Sequence, residues 1–433
     1  MAVNKFYLDH LLFAGYLILF SWLVTKVRFF TKSGLTASQL IIFFLLKIIA
    51  GIIYGWIGIY YGDLAQMVDT WAYHYASLKE VHLLKTDPEM FLNGLFQNSY
   101  STGYSNFLGS QDSWWNDLKS NTFLLFNTIF NFFSFGNYYI NVIFYSFITL
   151  FGPVAIYRIM HDVFPRKKIA VLLGTFLIPS VLYWTSGLHK EGLIFTATSL
   201  IVYEFYFGFR TAKFNVKRIV VILPATFMIL ALRNFLILPL LPAVIAWFLS
   251  EKLKYKPILI YGTVYLIFFA AFFGSSFFPG LNLPQAVVDK QEEFLKLQGE
   301  SSVNVYELKP TFASFVKNAP QALSLSILRP YPGDVRHVLS LAACIEIILI
   351  LLLFVIFFFW KRDIVRLSPF LLFCIFFSFS VLMMIGYSVN VLGAIVRYRS
   401  IVLCFLVIPV VAEIDWARVK GVIFGNIDNK INV

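Results

Sequence analysis

Long apolar runs alternate with short polar segments along most of the chain. Most runs are close to the roughly 20 residues with which an α-helix crosses the hydrocarbon core of a bilayer. The pattern predicts an all-α, polytopic membrane protein that forms a single membrane-embedded domain over residues 1–433. We expect about eleven transmembrane helices, at 7–24, 38–60, 137–157, 169–185, 191–208, 219–232, 235–250, 257–277, 338–360, 367–386 and 395–412. A shorter, more polar run at 122–135 is expected to be an interfacial or re-entrant helix.

Composition supports this class. The chain is 59% hydrophobic and 13% charged, whereas soluble domains are about 45–50% apolar and about 25% charged. An ordinary cytosolic enzyme is thereby excluded. The net charge of +12 would suggest a nucleic-acid partner in a soluble protein. Here the lysines and arginines concentrate in short loops between apolar runs, so we expect membrane lipids and no nucleic acid as partners.

The basic loops also predict an orientation, because lysine and arginine favour the cytoplasmic side of a membrane. Every odd-numbered span is followed by a basic loop, from Lys26, Arg28 and Lys32 after the first span to Arg418 and Lys420 after the last. This predicts a multi-pass protein of the bacterial cytoplasmic (inner) membrane, with its N-terminus outside and its C-terminus inside. The first run lacks a signal-peptide cleavage site and is expected to be retained.

Two of the predicted outward connections are long, at 61–136 and 279–337, and the tail at 413–433 is expected to be short and cytoplasmic. Structureless loops of such length are rare in compact proteins unless they are functional. The three cysteines lie inside apolar runs, which argues against disulfides and a zinc site. We find no nucleotide-binding or hydrolase motif, and this disfavours ATP-driven transport.

Carboxylates open the first outward segment, YGDLAQMVDTWAYHYASLKE. Asp63 and Asp69 are the predicted catalytic residues, since a carboxylate at the membrane surface can act as a general base or hold a divalent cation. On a helix, Asp69 and Tyr73 share a face, so Tyr73 and His74 are predicted to bind substrate. The alternative is that both acids are solvated or cap helices, and that His74 is an interfacial polar residue.

Basic residues return to the predicted outer rim from separate parts of the chain, against the orientation rule. They are Lys190, Arg233, Arg329, Arg397 and Arg399. Guanidinium groups bind phosphate in bidentate fashion, so together these residues predict a site for a lipid-linked phosphate or pyrophosphate. The alternative is that each residue snorkels independently to lipid headgroups.

Three ionisable residues fall inside predicted spans, where such groups are functional candidates. Glu346 is predicted to orient a basic residue of the substrate site, whereas Lys47 and Glu204 either face the interior of the helix bundle or snorkel. Charges of this kind are equally compatible with a proton-coupled transporter.

Two short motifs resemble membrane glycosyltransferases of the GT-C superfamily. Asp69-Thr70-Trp71-Ala72-Tyr73-His74-Tyr75-Ala76 is similar to their D-x-x-x-Y-x-x-A pattern, and Arg397-Tyr398-Arg399 leading to Pro409 is similar to the start of a late helix. The resemblance implies a polyprenyl-phosphate sugar donor and an inverting transfer on the outer face. It also implies that Asp69 is the base or a ligand of a divalent cation, and that Arg397 or Arg399 binds the donor phosphate.

The first hypothesis is therefore a glycosyltransferase that moves a sugar from a polyprenyl-linked donor to an envelope glycan, lipid or protein acceptor. The alternatives are a transporter, flippase or polymerase of lipid-linked glycans, and a non-catalytic membrane scaffold. The scaffold predicts that Asp69 and the outer arginines tolerate alanine.

Overall fold

The computed structural model describes residues 2–61, 69–96, 107–108, 114–253, 255–278, 280–297, 299, 301–361 and 367–424. Asp63 lies outside these residues. The described chain is helical apart from its loops and turns. Its β-type backbone pairing is limited to two isolated bridges, Ser302 with Val391 and Lys361 with Ile414. This agrees with the predicted all-α class.

Twenty α-helices are present in the described residues. They are α1 Ala2–Val24, α2 Arg28–Thr31, α3 Ala37–Tyr60, α4 Asp69–Thr86, α5 Pro88–Phe96, α6 Trp114–Ser134, α7 Tyr138–Thr149, α8 Phe151–Val163, α9 Lys168–Phe176, α10 Pro179–Ser186, α11 Lys190–Thr211, α12 Val216–Arg233, α13 Ile237–Lys252, α14 Pro257–Gly274, α15 Leu283–Lys296, α16 Phe312–Leu323, α17 Val338–Trp360, α18 Pro369–Ser388, α19 Leu392–Glu413 and α20 Trp416–Phe424. Short 3₁₀ turns occupy Asn234–Leu236, Ser275–Phe277 and Pro332–Asp334, and a π-helical turn occupies Ser324–Leu328.

Nine helical stretches among the described residues are long and apolar enough to cross a membrane, or ten if the bent pair α9 and α10 is one span. The protein is therefore a multi-pass membrane protein. The chain bends by 48° between α9 and α10, at a break that precedes Pro179. Proline favours the first turn of a helix and restricts the residue before it to extended backbone. The finer count of eleven spans stays a prediction.

One of the nine stretches, Val216–Lys252, reverses direction at the Asn234–Leu236 turn. Arg218, near its start, pairs with Glu204 close to the end of α11 at 2.7 Å. Arg233 pairs with Glu191 at the opposite end of α11. Trp247 then packs on Phe209, which lies at the same end of α11 as Glu204. The turn thus lies at the end of the bundle where α11 begins.

Burial separates central from peripheral helices. Within the span windows, 78% of Tyr138–Val163 and of Leu392–Glu413 is buried inside the protein, compared with 6% of Tyr7–Val24. The α7–α8 stretch and α19 therefore form the centre of the bundle, and α1 lies at its edge. The helices that hold the candidate site, α11 and α19, are consequently packed on several sides.

Candidate functional site

The start of α4 is held against the loop between α10 and α11. The Thr70 hydroxyl donates to the carbonyl oxygen of Leu188 at 3.1 Å, and the Trp71 indole N–H donates to the carbonyl of Gly55 at 2.9 Å. These bonds place Asp69, the first residue of the helix, beside that loop. The Asp69 side chain remains 59% exposed, so it is available to a ligand.

The loop itself is positioned by a buried lysine and by close packing. Lys47 Nζ donates to the Thr185 carbonyl at 3.0 Å and lies 3.2 Å from the Ser186 hydroxyl, at the C-terminal end of α10, where a cation is favourable. A Cβ on Gly187 would lie 2.3 Å from the Tyr54 ring. Glycine at position 187 is therefore needed for the loop to pack against Tyr54 of α3. Lys47 has a structural role, because it binds the end of α10.

Five charged or titratable residues meet at this point and form what we call the carboxylate–histidine cluster: Asp69, His189, Glu191, Arg233 and Arg397. Its centre is Glu191, which is fully buried. One Glu191 oxygen contacts His189 Nδ1 directly. The other accepts from Arg233 Nη2 at 2.6 Å and lies 3.6 Å from Arg397 Nε. A buried carboxylate is stable when cations and hydrogen bonds compensate it, as they do here.

Asp69 lies on the exposed side of the cluster. Its Oδ2 is 3.6 Å from His189 Nε2 and 3.8 Å from Arg397 Nη1. The pKa of Asp69 is below its ordinary value, first because of its interaction with His189 and then because of the charges of Arg397 and Lys190, while partial burial acts in the opposite direction. The carboxylate is therefore ionised at neutral pH.

Two basic side chains of the site, Arg233 and Lys190, lie against aromatic rings. The Arg233 guanidinium stacks 3.8 Å from the centre of the Tyr398 ring, and Lys190 Nζ lies 4.8 Å from the centre of the Tyr73 ring. Such cation–π contacts stabilise a cation without neutralising it. Burial raises the pKa of Tyr73 to about 12, and the charge of Asp69 contributes to this shift. Lys190 forms no ion pair with a carboxylate among the described residues, so its Nζ is available to donate to a ligand.

An amphipathic cavity of about 120 Å³ adjoins the cluster and shares Arg233 with it, and Tyr398 also lines its wall. Lys119 and Lys290 add two more cations to its wall, and the apolar part of the wall includes Phe294 and Ile385. Lys290 pairs with Glu293 at 2.8 Å. Lys119 pairs with no carboxylate in the described part of the chain. Burial lowers the pKa of Lys119, and the charge of Lys290 lowers it further.

The structure thus brings together five of the predicted site residues: Asp69, Tyr73, Lys190, Arg233 and Arg397. His74 is not among them, because it is buried against Tyr138 and lies 3.5 Å from the Asn141 amide. Burial lowers the pKa of His74 to about 4. The expectation that His74 binds substrate is therefore not supported by its position.

Arg329, Arg399 and Glu346 form a separate group. Arg399 is buried and donates to the Arg329 carbonyl at 2.5 Å, and the Arg329 side chain faces Asp334 at 3.5 Å. Glu346 accepts from the backbone N–H of Ser180 at 2.6 Å, at the N-terminus of α10. These side chains connect α10, α17 and α19 and do not reach the carboxylate–histidine cluster.

Several residues of the site were not selected from the sequence: His189, Glu191, Lys119, Lys290 and Tyr398. A signal was present for the first two, because the tripeptide His189-Lys190-Glu191 places three polar residues directly at the start of a span. Glu191 could be interpreted there as a simple helix-start acid. Nothing local distinguishes Lys119 or Lys290 from other polar-segment lysines.

The donor set does not suit a divalent cation. Glu191 is engaged by His189 and two guanidinium groups, and Asp69 faces Arg397, so a metal ion would meet positive charge. Within the described ranges, no group of three histidine, cysteine, aspartate or glutamate side chains is arranged to hold one. We therefore assign no step to a metal.

The arrangement is suited to holding an anion and a hydroxyl group side by side. Five basic side chains, Lys119, Lys190, Arg233, Lys290 and Arg397, are arranged around three carboxylates, Asp69, Glu191 and Glu293. The excess positive charge favours a phosphate, and the exposed Asp69 can accept a hydrogen bond from a hydroxyl. No known protein family, curated protein or solved structure matches the chain.

Proposed function

We propose that the protein is a membrane glycosyltransferase. It transfers a glycosyl unit from a polyprenyl-linked donor to the hydroxyl of an envelope glycan, lipid or protein at the outer face of the cytoplasmic membrane. The observation that carries this proposal is the convergence of Asp69, Arg233 and Arg397 from three distant parts of the chain, next to a cavity with cationic and apolar walls.

The cavity supports a lipid-linked donor in particular. Its cations, Lys119, Arg233 and Lys290, suit the phosphate, and its apolar wall suits the first part of a polyprenyl chain. When the bond between sugar and phosphate breaks, negative charge develops on the phosphate oxygen. Fixed cations in a partly buried site stabilise that charge more strongly than water does. Arg233 lines the cavity and contacts Glu191, and Arg397 contacts both Asp69 and Tyr398 of the cavity wall.

Asp69 is proposed to bind the acceptor. It is the exposed member of the carboxylate–histidine cluster, and it is ionised at neutral pH. Arg399, which the resemblance offered as an alternative to Arg397, is buried against the Arg329 carbonyl. Of the two arginines, Arg397 is therefore the one proposed to contact substrate.

The experiment compares lipid-linked glycans in the wild-type strain and in a strain lacking the gene, by mass spectrometry. Transfer predicts that the donor accumulates and the extended product disappears. Purified protein in nanodiscs should convert the lipid extract of the deletion strain. The Asp69→Asn and Arg397→Ala variants should lose activity at least about 100-fold, whereas Glu89→Gln, at an exposed carboxylate of α5, should not.

The same lipids separate the alternatives. Complete glycans that accumulate without reaching the outer face would indicate a flippase and contradict transfer. The buried charges favour transfer over transport, because they are already paired. Lys47 is bound by the end of α10, Glu204 by Arg218 at 2.7 Å, and Glu346 by the N-terminus of α10.

A further inference from the structure

We infer that His189 accepts the proton of the acceptor hydroxyl, and that Glu191 holds the imidazole in the tautomer that this step requires. The inference rests on the proposed transfer reaction and names the group that performs its proton transfer. It differs from the expectation that Asp69 is the base. Neither His189 nor Glu191 belongs to the motifs that resemble the GT-C superfamily.

Glu191 determines the tautomer. An ionised carboxylate only accepts hydrogen bonds. Glu191 is fully buried and its second oxygen is held by Arg233, which favours the ionised form. Because it contacts His189 Nδ1, that nitrogen must carry a hydrogen. The neutral ring then has its lone pair on Nε2.

Nε2 points to the exposed side of the cluster, between a donor and an acceptor. Arg397 Nη1 is 3.4 Å away and Asp69 Oδ2 is 3.6 Å away. Both distances exceed that of a normal hydrogen bond, so neither group holds Nε2 tightly. Arg397 favours the neutral ring before the reaction, and Asp69 favours the imidazolium that forms during it.

Asp69 is the weaker candidate for the base. A general base is most effective when its pKa is near the working pH. The Asp69 carboxylate lies 3.8 Å from the Arg397 guanidinium, which favours its ionised form, so it takes up a proton poorly at neutral pH. An exposed carboxylate beside an imidazole is better suited to orient the hydroxyl and to stabilise the charged ring, as in the serine-protease triad.

The groups that face His189 come from every helix packed around it. They are Asp69 from α4, Glu191 from α11, Arg397 from α19, Tyr54 from α3 with ring centres 6.4 Å apart, and Tyr145 from α7, whose hydroxyl donates to the His189 carbonyl. Two carboxylates and one guanidinium thus act on the ring.

The acceptor O–H bond breaks and its proton moves to Nε2. The oxygen forms a bond to the anomeric carbon of the donor sugar, and the bond between that carbon and the phosphate oxygen breaks, with its electron pair on the phosphate. Arg233 and Arg397 stabilise the phosphate released. The imidazolium is stabilised by the Asp69 carboxylate and then releases its proton to water, which returns the ring to its neutral form.

The test is the pH profile of kcat/KM for wild-type protein in nanodiscs, with the lipid extract of the deletion strain as substrate. We expect an ascending limb that depends on His189, because only the neutral imidazole can accept the proton. His189→Gln should lower kcat at least about 100-fold and remove the limb. Asp69→Asn should lower kcat but keep the limb. His82→Gln, at an exposed histidine of α4, is the matched control.

Glu191→Gln should also lower kcat, because the amide N–H₂ can donate to Nδ1 and so shift the hydrogen to Nε2. Since this buried variant could misfold, His189→Ala with added imidazole provides a second measurement, and partial recovery of transfer is expected. Transfer whose ascending limb persists in His189→Gln, or is lost in Asp69→Asn, overturns the role of His189 alone. Absence of transfer by the wild-type protein at every pH overturns the proposed function as well.

Discussion

Asp69 and His74 lie on one helix but have different environments, because five residues correspond to about 140° around a helix axis. Asp69 faces the carboxylate–histidine cluster and is 59% exposed. His74 is 3% exposed and packs among Trp71, Tyr138 and Asn141. The position of His74 indicates a role in stability.

His74 should make the protein acid-sensitive. Burial lowers the pKa of His74 from 6.5 to about 4. Below about pH 6.5 this histidine therefore becomes protonated in the unfolded chain while it stays neutral in the folded protein. The free energy of unfolding should therefore fall between pH 6.5 and 4, by up to about 3 kcal/mol. Chemical denaturation at pH 7 and 4.5 should show a smaller loss for His74→Gln than for wild type. Equal losses would contradict this linkage.

Arg397 and Arg399 show what could be predicted at the residue scale. Both were expected at the substrate site because both are outward arginines. Residues two positions apart on a helix point about 200° apart, so one helix cannot present both to one cavity. Choosing between them requires the rotation of α19, which depends on its packing and not on local sequence.

At the scale of elements, the segment from α10 to α11 packs so closely against two tyrosines that two of its positions have no room for a side chain. A Cβ on Gly192 would lie 2.4 Å from the Tyr145 hydroxyl, as one on Gly187 would clash with Tyr54. Both tyrosines are almost completely buried. The geometry around His189 and Glu191 therefore depends on two glycines that lie outside the carboxylate–histidine cluster.

Gly187→Ala should lower the thermal stability of the protein and reduce transfer, because overpacking in a buried site typically costs about 1–3 kcal/mol. Gly262→Ala is the matched control, since nothing lies within 4 Å of a Cβ at Gly262. Thermal denaturation followed by size-exclusion chromatography measures the difference. Equal melting temperatures for the two variants would show that the loop has room to shift.

The helices were largely predictable, whereas their contacts were not. Apolar length is a local property of the sequence, and it marked the stretches that can cross the membrane. The bond of Lys47 to Thr185 joins residues 138 positions apart, and the contact of Asp69 with His189 joins α4 to a loop 120 residues later. No sequence periodicity indicates such long-range pairs. The sequence could therefore indicate the individual charged residues of the cluster but not their contacts.

At the scale of the whole molecule, the functional residues lie at one end of the helix bundle. The starts of α4, α11 and α19 meet there, together with the turn after α12. The segment around Val303 also belongs to this end, since its N–H donates to the carbonyl of Asn390, two residues before α19. The other end of α11 is near Lys213.

Cysteine labelling should place the two ends on opposite sides of the membrane. The native Cys344, Cys374 and Cys404 are buried, whereas Asn304 and Lys213 are exposed. In intact cells, a membrane-impermeant thiol reagent should label Asn304→Cys and should label Lys213→Cys only after permeabilisation. The reverse pattern would place the site in the cytoplasm and contradict transfer at the outer face.

Arg397 and Arg399 leave the same turn of α19 in different directions. Arg397 contacts the carboxylate–histidine cluster, and Arg399 anchors the chain before α17 through the Arg329 carbonyl. A rotation of α19 that moved one guanidinium would displace the other. Ligand binding at the carboxylate–histidine cluster is thereby coupled to the packing of α10 and α17, and substitution of Arg399 or Glu346 should alter the proposed transfer from a distance.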